Sequence, residues 1–156
     1  MSEENAATEN QDQPVLSVQK IYTRDISFEN PNAPEVFMNS ENSPKIELNL
    51  GVNNRQINDE LWEVSLKVTV LARNSENEEV VFEIEAEQAG LFYIKNVSEE
   101  DMPTVLGINC PSIIFPYTRQ VISQLTIDGG FVPLMLEPFN FAAAFQQGQE
   151  QQQTTH

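Results

Sequence analysis

Between Leu61 and Ala72 the chain reads LWEVSLKVTVLA, with Trp62, Val64, Leu66, Val68, Val70 and Ala72 at even positions and Glu63, Ser65, Lys67 and Thr69 at odd ones. Alternation sustained over this length matches the two-residue repeat of a strand with one dry face and one wet face. After the polar turn RNSENEE, the run VVFEIEAEQAGLFYI repeats the pattern. Val80, Phe82, Ile84 and Ala86 point in, while Glu83, Glu85 and Glu87 point out. Upstream, residues 15–29 carry Leu16, Val18, Tyr22, Ile26 and Phe28, and KIELNL alternates Ile46, Leu48 and Leu50 with Glu47 and Asn49. Strands in succession, joined in the second half of the set by short polar turns, predict an antiparallel sheet.

Beyond the strands the period changes. SEEDMPTVLGI opens with Ser98 and Asp101 in a capping arrangement. NCPSIIFPYTRQVISQLTIDGG then predicts a long helix, with Ile114, Tyr117, Val121 and Leu125 on one stripe, joined by Phe115, Ile122 and Thr126. Pro111 suits its first turn, Gly129-Gly130 stops it, and Pro116 kinks it. Asn140 caps a short final helix, FAAAFQQ. Residues 1–13 are acidic and predict a disordered tail. Residues 146–156 are glutamine-rich and predict a second one, leaving 14–145 as one α+β domain without internal repeats. The long helix is apolar around much of its girth. One small sheet covers a single side of it, so the other side calls for a second copy, unless the final helix and loops cover it within one chain.

The 156 residues carry a net charge of −16. Phosphate backbones and anionic membrane surfaces are poor partners for such a chain, and a basic protein is a good one, although acidity also serves solubility alone. No apolar run reaches membrane-spanning length, and the N-terminus lacks the basic and apolar regions of a signal peptide, which predicts a cytoplasmic protein. The single cysteine, Cys110, excludes an internal disulfide and has no CxxC partner. The only histidine is His156, the last residue, and no glycine-rich phosphate loop exists. Metal ligation would fall to carboxylates, yet Glu83, Glu85 and Glu87 lie along one strand without the turn a calcium loop needs. No enzyme, cofactor or metal is expected. Phe37, Met38, Phe139, Phe141 and Phe145 lie in flexible or peripheral segments; they suit either an adaptable surface for unfolded chains or ordinary packing.

Three segments carry a family resemblance: IYTRDISFENPNAP with the following VF, LGINCPSIIFPYTRQVIS, and FVPLMLEPFNFAAAF. In this order, and across about residues 16–145, they resemble the SecB protein-export chaperones. The resemblance implies a four-stranded antiparallel sheet with helices on one face, and a homotetramer, a dimer of dimers, with long helices between two sheets. It implies no catalysis and no nucleotide, but the holding of unfolded secretory precursors and their delivery to the SecA motor ATPase. The family's docking site is an acidic patch on the solvent face of the sheet, which receives SecA's basic, zinc-containing tail; the zinc belongs to the partner. Carried over, the patch falls on Asp25, Glu29 and Glu85, with Glu83 beside them where some relatives have an apolar residue. The client groove falls near Phe37, Met38, Phe139, Phe141 and Phe145, and the oligomer helix carries Ile114, Tyr117, Val121 and Leu125. Relatives often place a tryptophan shortly before the proline matching Pro44; here the rim reads Asn39-Ser40-Glu41-Asn42-Ser43. The runner-up class is an acidic adaptor or nucleic-acid mimic, which would bind a basic protein without holding unfolded chains.

The stretch TRDISFENPNAP (residues 23–34) joins these expectations. Asp25 and Glu29 face water, Ile26 and Phe28 face the core, and Pro31 and Pro34 are expected to keep the exit extended toward Phe37 and Met38.

Overall fold

The computed structural model describes residues 13–38 and 43–154. Strands β1 (Val15–Glu29), β2 (Lys45–Gln56), β3 (Leu61–Arg73) and β4 (Val80–Lys95) form one antiparallel sheet in the order β1-β4-β3-β2. The period-2 reading of β3 and β4 places their residues well. Val64, Leu66, Val68, Val70, Phe82, Ile84 and Ala86 are all buried on one face. β2 is longer than its KIELNL core, because β3 offers partners along its full length, from Lys45 opposite Arg73 to Gln56 opposite Trp62. The β2–β3 turn closes through Ile57 N–H to the Leu61 carbonyl at 2.8 Å, and Asn58 Oδ1 accepts the Glu60 and Leu61 amides at 2.9 Å.

β1 does not keep one parity. Its register slips once between Val18 and Lys20 and again between Thr23 and Asp25. Each extra residue reverses the alternation, so Leu16 and Val18, then Ile21 and Thr23, then Ile26 and Phe28 face the core side. Tyr22 is thereby turned to the solvent side, opposite Ala89.

The helical half begins just after the Ser98–Asp101 capping arrangement read in the sequence. A short α turn, Met102–Thr104, passes into a π segment, Val105–Asn109, and on into helix α1, Cys110–Asp128. Ser98 Oγ accepts the Asp101 amide at 3.2 Å at its start. α1 packs on β3 and β4 through Cys110, Pro111, Ile114, Phe115, Thr118, Ile122 and Thr126. The buried stripe is therefore rotated from the one read in the sequence. Ile114 lies in the protomer's own core, so it is not on a free oligomer face, while Tyr117 is 48% exposed and Val121 and Leu125 are half-buried. Two threonines take the stripe because each buried hydroxyl finds a backbone carbonyl one turn back: Thr118 reaches Ile114 at 3.5 Å and Thr126 reaches Ile122 at 3.3 Å.

At the end of α1 the Phe131 amide bonds the Thr126 carbonyl at 2.9 Å and the Gly130 amide bonds that of Ile127 at 3.0 Å. Gly130 sits at φ +92, the left-handed residue this helix stop requires. A strap, residues 131–140, runs back along α1. It is tied by Leu134 N–H to Thr126 Oγ1 at 3.0 Å and by Arg119 Nε to the Leu136 carbonyl at 3.0 Å. Asn140 Oδ1 then accepts the Ala143 amide at 3.0 Å and caps helix α2, Phe141–Thr154. α2 continues past residue 146, where a loose tail was expected, since glutamine and glutamate are good helix formers.

Candidate docking face and apolar groove

The solvent face of the sheet gathers the predicted acids. Asp25 lies opposite Glu87, Ser27 opposite Glu85 and Glu29 opposite Glu83. Like charges directly across a strand pair repel. Lys67 Nζ stands 3.7 Å from Glu85 Oε1, a half-exposed pair of little energetic weight. Among the described residues Asp25, Glu29 and Glu83 have no ion-pair partner, so their field is open to solvent.

Sequence reading missed a second feature of this face. Glu63, read as a wet-face residue, is only 7% exposed. Its carboxylate accepts the Tyr22 hydroxyl, Arg24 Nη1 at 2.8 Å and Arg55 Nη2 at 3.5 Å. Arg24 also comes within 3.7 Å of Glu87. Burial, and then the hydrogen bond to Glu63, push the Tyr22 phenol up to about 12. Only the β1 bulge brings Tyr22 and Arg24 over Glu63, and simple alternation carries no sign of it.

On the other face, a groove of about 600 Å³ opens between the chain after β1, the start of β2 and the residues following α1. Val36, Phe37, Ile46, Phe82, Phe131 and Leu134 line it. Phe37, Phe82 and Phe131 of its lining form an aromatic cluster, with ring centroids 5.0 Å apart for Phe82 and Phe131 and 5.2 Å for Phe37 and Phe131, and Phe28 packs on Phe82 at 5.9 Å. The helix end approaches so closely that a Cβ on Gly129 would lie 2.3 Å from the Phe28 ring. The exit from β1 is not extended as expected. Residues 31–34 form a turn, and a 3-10 helix, Glu35–Met38, follows. The prolines lack N–H groups, but the Val36 and Phe37 amides bond back to Asn32 and Pro34 at 2.9 and 3.1 Å, and Asn32 Nδ2 anchors the turn on the Val80 carbonyl at 2.8 Å. Phe37 is 42% exposed beside the groove and Met38 80% exposed. Residues 39–42 of the predicted polar rim lie outside the described residues.

The predicted groove residues do not all meet there. Phe141 is buried on Phe115, 5.9 Å between centroids, with Phe139 4.8 Å from Phe141, and Phe145 packs over Gly107. These rings sit at the opposite end of α1, about 20 Å from Phe131 at ~1.5 Å of rise per residue. Phe131, absent from the predicted set, takes their place because Gly130 folds the strap back under Phe37.

Cys110 is fully buried, and burial pushes its thiol up to about 12, as befits a packed residue rather than a nucleophile. Among the described residues no group of three His, Cys, Asp or Glu side chains is placed to hold a metal, and no helix is long and apolar enough to cross a membrane.

The family profile described as "Preprotein translocase subunit SecB" matches residues 9–152. Curated relatives named protein-export protein SecB include one from Desulfotalea psychrophila, 44% identical over 145 residues, covering 92% of this chain and 93% of that one. Another, from Magnetococcus marinus, is 45% identical over 148 residues, covering 95% and 93%. A third, from Methylobacillus flagellatus, is 40% identical over 161 residues, covering both chains completely. Among solved structures, the Mycobacterium tuberculosis Rv1957 SecB-like chaperone, in complex with a ChAD peptide from the Rv1956 HigA1 antitoxin, superposes with a TM-score of 0.67. At 17% identity, over 80% of this chain and 91% of that one, it shares the fold.

Proposed function

The chain belongs to the SecB family, and on that premise we propose that it is an ATP-independent export chaperone that holds unfolded secretory precursors in the cytoplasm and delivers them to SecA. The observation that carries the reading is the groove of about 600 Å³ lined by Phe37, Phe82 and Phe131. An open apolar trough of this size takes apolar side chains from extended segments of many sequences, and its aromatic floor makes no demand for a particular one. An acidic adaptor would have no use for it. The solvent-face acids Asp25, Glu29, Glu83 and Glu85 supply the complementary field for a basic tail of the motor, and no nucleotide or metal on this chain enters the cycle.

A homotetramer is part of the same proposal. α1 packs on β3 and β4, which leaves Val18 and Ile26 of β1, and Ile46, Leu48 and Val52 of β2, exposed on the side that packs the core. Tyr117 and Ile127 of α1 are exposed as well. Covering such a face by further copies would place several grooves on one particle, so that a long client is held by many weak contacts at once.

The test is suppression of aggregation of an unrelated, chemically denatured protein, with mass by light scattering alongside. The proposal predicts suppression by a tetramer. A protein that binds SecA yet leaves aggregation untouched is an adaptor and not a chaperone.

A further inference from the structure

The cluster around Glu63 sits beside the acids assigned to docking, and nothing in the holding of clients uses it. Arg24 occupies the β1 bulge immediately before Asp25, and Asp25 lies opposite Glu87. One guanidinium therefore has two sets of acids within reach. It points to the buried one: Arg24 Nη1 lies 2.8 Å from Glu63 Oε1, whereas its Nε is 3.7 Å from Glu87 Oε1. The short contact, to an acid that is 7% exposed, is the stronger of the two, since a charge-assisted hydrogen bond shielded from water outweighs a loose pair at the surface. Tyr22 and Arg55 hold the same carboxylate from either side, which fixes where Arg24 must reach.

We infer that Glu63 is a positioning residue for SecA docking: it anchors Arg24 away from the adjacent Asp25 and so keeps a built-in cation from neutralising an acid that the basic partner needs. This rests on the docking reading above. Were Glu63 uncharged, the flexible Arg24 side chain would lose its best partner. It would then turn to Glu87, already within 3.7 Å, and to the adjacent Asp25, competing with the incoming basic segment. Lys67 is engaged in a similar way by Glu85 at 3.7 Å, but there both groups lie in the open and salt screens them.

The test compares SecA binding by the full chain, by E63Q and by the double variant E63Q/R24Q, with capture of a denatured client measured on each. E63Q is expected to weaken SecA binding by about threefold to tenfold, with client capture unchanged. Removing the freed cation as well, in E63Q/R24Q, is expected to restore binding to within about twofold of the parent; E63Q keeps the shape of the glutamate, and R24Q removes the charge while leaving a polar side chain. A merely structural role for Glu63 would leave the double variant as weak as the single one, and that result overturns the inference. So does an E63Q protein that binds SecA as the parent does. Failure of the parent itself to bind SecA is a different outcome, which removes the docking reading together with this inference.

Discussion

Gly129→Ala should destabilise the protein although the backbone there welcomes alanine. Gly129 has φ −75 and ψ −5, so a Cβ brings no backbone strain. The cost comes from the neighbour: the new Cβ would lie 2.3 Å from Phe28 Cζ and 2.6 Å from its Cε1, well inside contact distance. The ring has little room to withdraw, with Phe82 centred 5.9 Å away and Phe131 6.4 Å away. Relieving a clash of this kind in a packed cluster costs about 1–2 kcal/mol. For a chain of this length that lowers the melting temperature by about 2–8 °C. Gly51→Ala is the control, because a Cβ there meets nothing within 4 Å, and its melting temperature should be unchanged or slightly raised. The decisive measurement is a thermal double-mutant cycle with Phe28→Leu, which removes the ring that the methyl strikes. The Gly129→Ala penalty should shrink to a few tenths of a kcal/mol in that background, as expected when two residues interact only with each other. An equal penalty with and without the ring would refute the steric account.

Reversing the acids proposed for docking, with Asp25→Lys, Glu29→Lys and Glu85→Lys, should abolish SecA binding in a pull-down while leaving client capture intact. Phe131→Ala, or Phe37→Ser, should weaken capture of a denatured client by roughly tenfold in an aggregation assay, and Phe139→Ser, at the far end of α1, should change it by less than about twofold. Because the folded Tyr22 phenol titrates at about 12 against an ordinary 10, the native state holds its proton longer. That contribution is fully present below pH 10 and disappears as pH rises to about 12; Tyr22→Phe should remove this part of the alkaline stability loss seen in denaturant melts. Cys110, buried with its thiol raised to about 12, should resist iodoacetamide at pH 8 until denaturant exposes it, and prompt labelling of the native protein would contradict the packing described.

The parts of the fold legible in the sequence are those governed by one period. Val64 to Ala72 and Phe82 to Ala86 alternate without interruption, and their faces follow directly. In β1 the two bulges reset the alternation, so Tyr22 and Arg24 fell outside any simple face assignment and the Glu63 cluster stayed hidden. In α1 the apolar residues Tyr117, Val121 and Leu125 outcompeted Thr118 and Thr126 in a reading by hydrophobicity, because a threonine's fitness for the core depends on a carbonyl it can reach. The acids proposed for docking lie on the solvent face that alternation assigns them. The groove was half legible: Phe37 was found, but Phe131 enters it through a glycine turn whose direction no periodicity encodes.

β4 runs Phe82-Glu83-Ile84-Glu85, with the phenyl ring in the groove floor and the two glutamates on the opposite surface, one residue apart. Both proposed interaction surfaces are thus written into one short stretch and read by parity alone. Point substitutions can damage either surface and spare the other. Loss or gain of a single codon between Val80 and Phe82 would turn the whole segment over, driving carboxylates inward and a ring outward. Among randomly generated variants this stretch should therefore yield separable missense alleles, but no single-residue insertion or deletion that keeps one activity and loses the other.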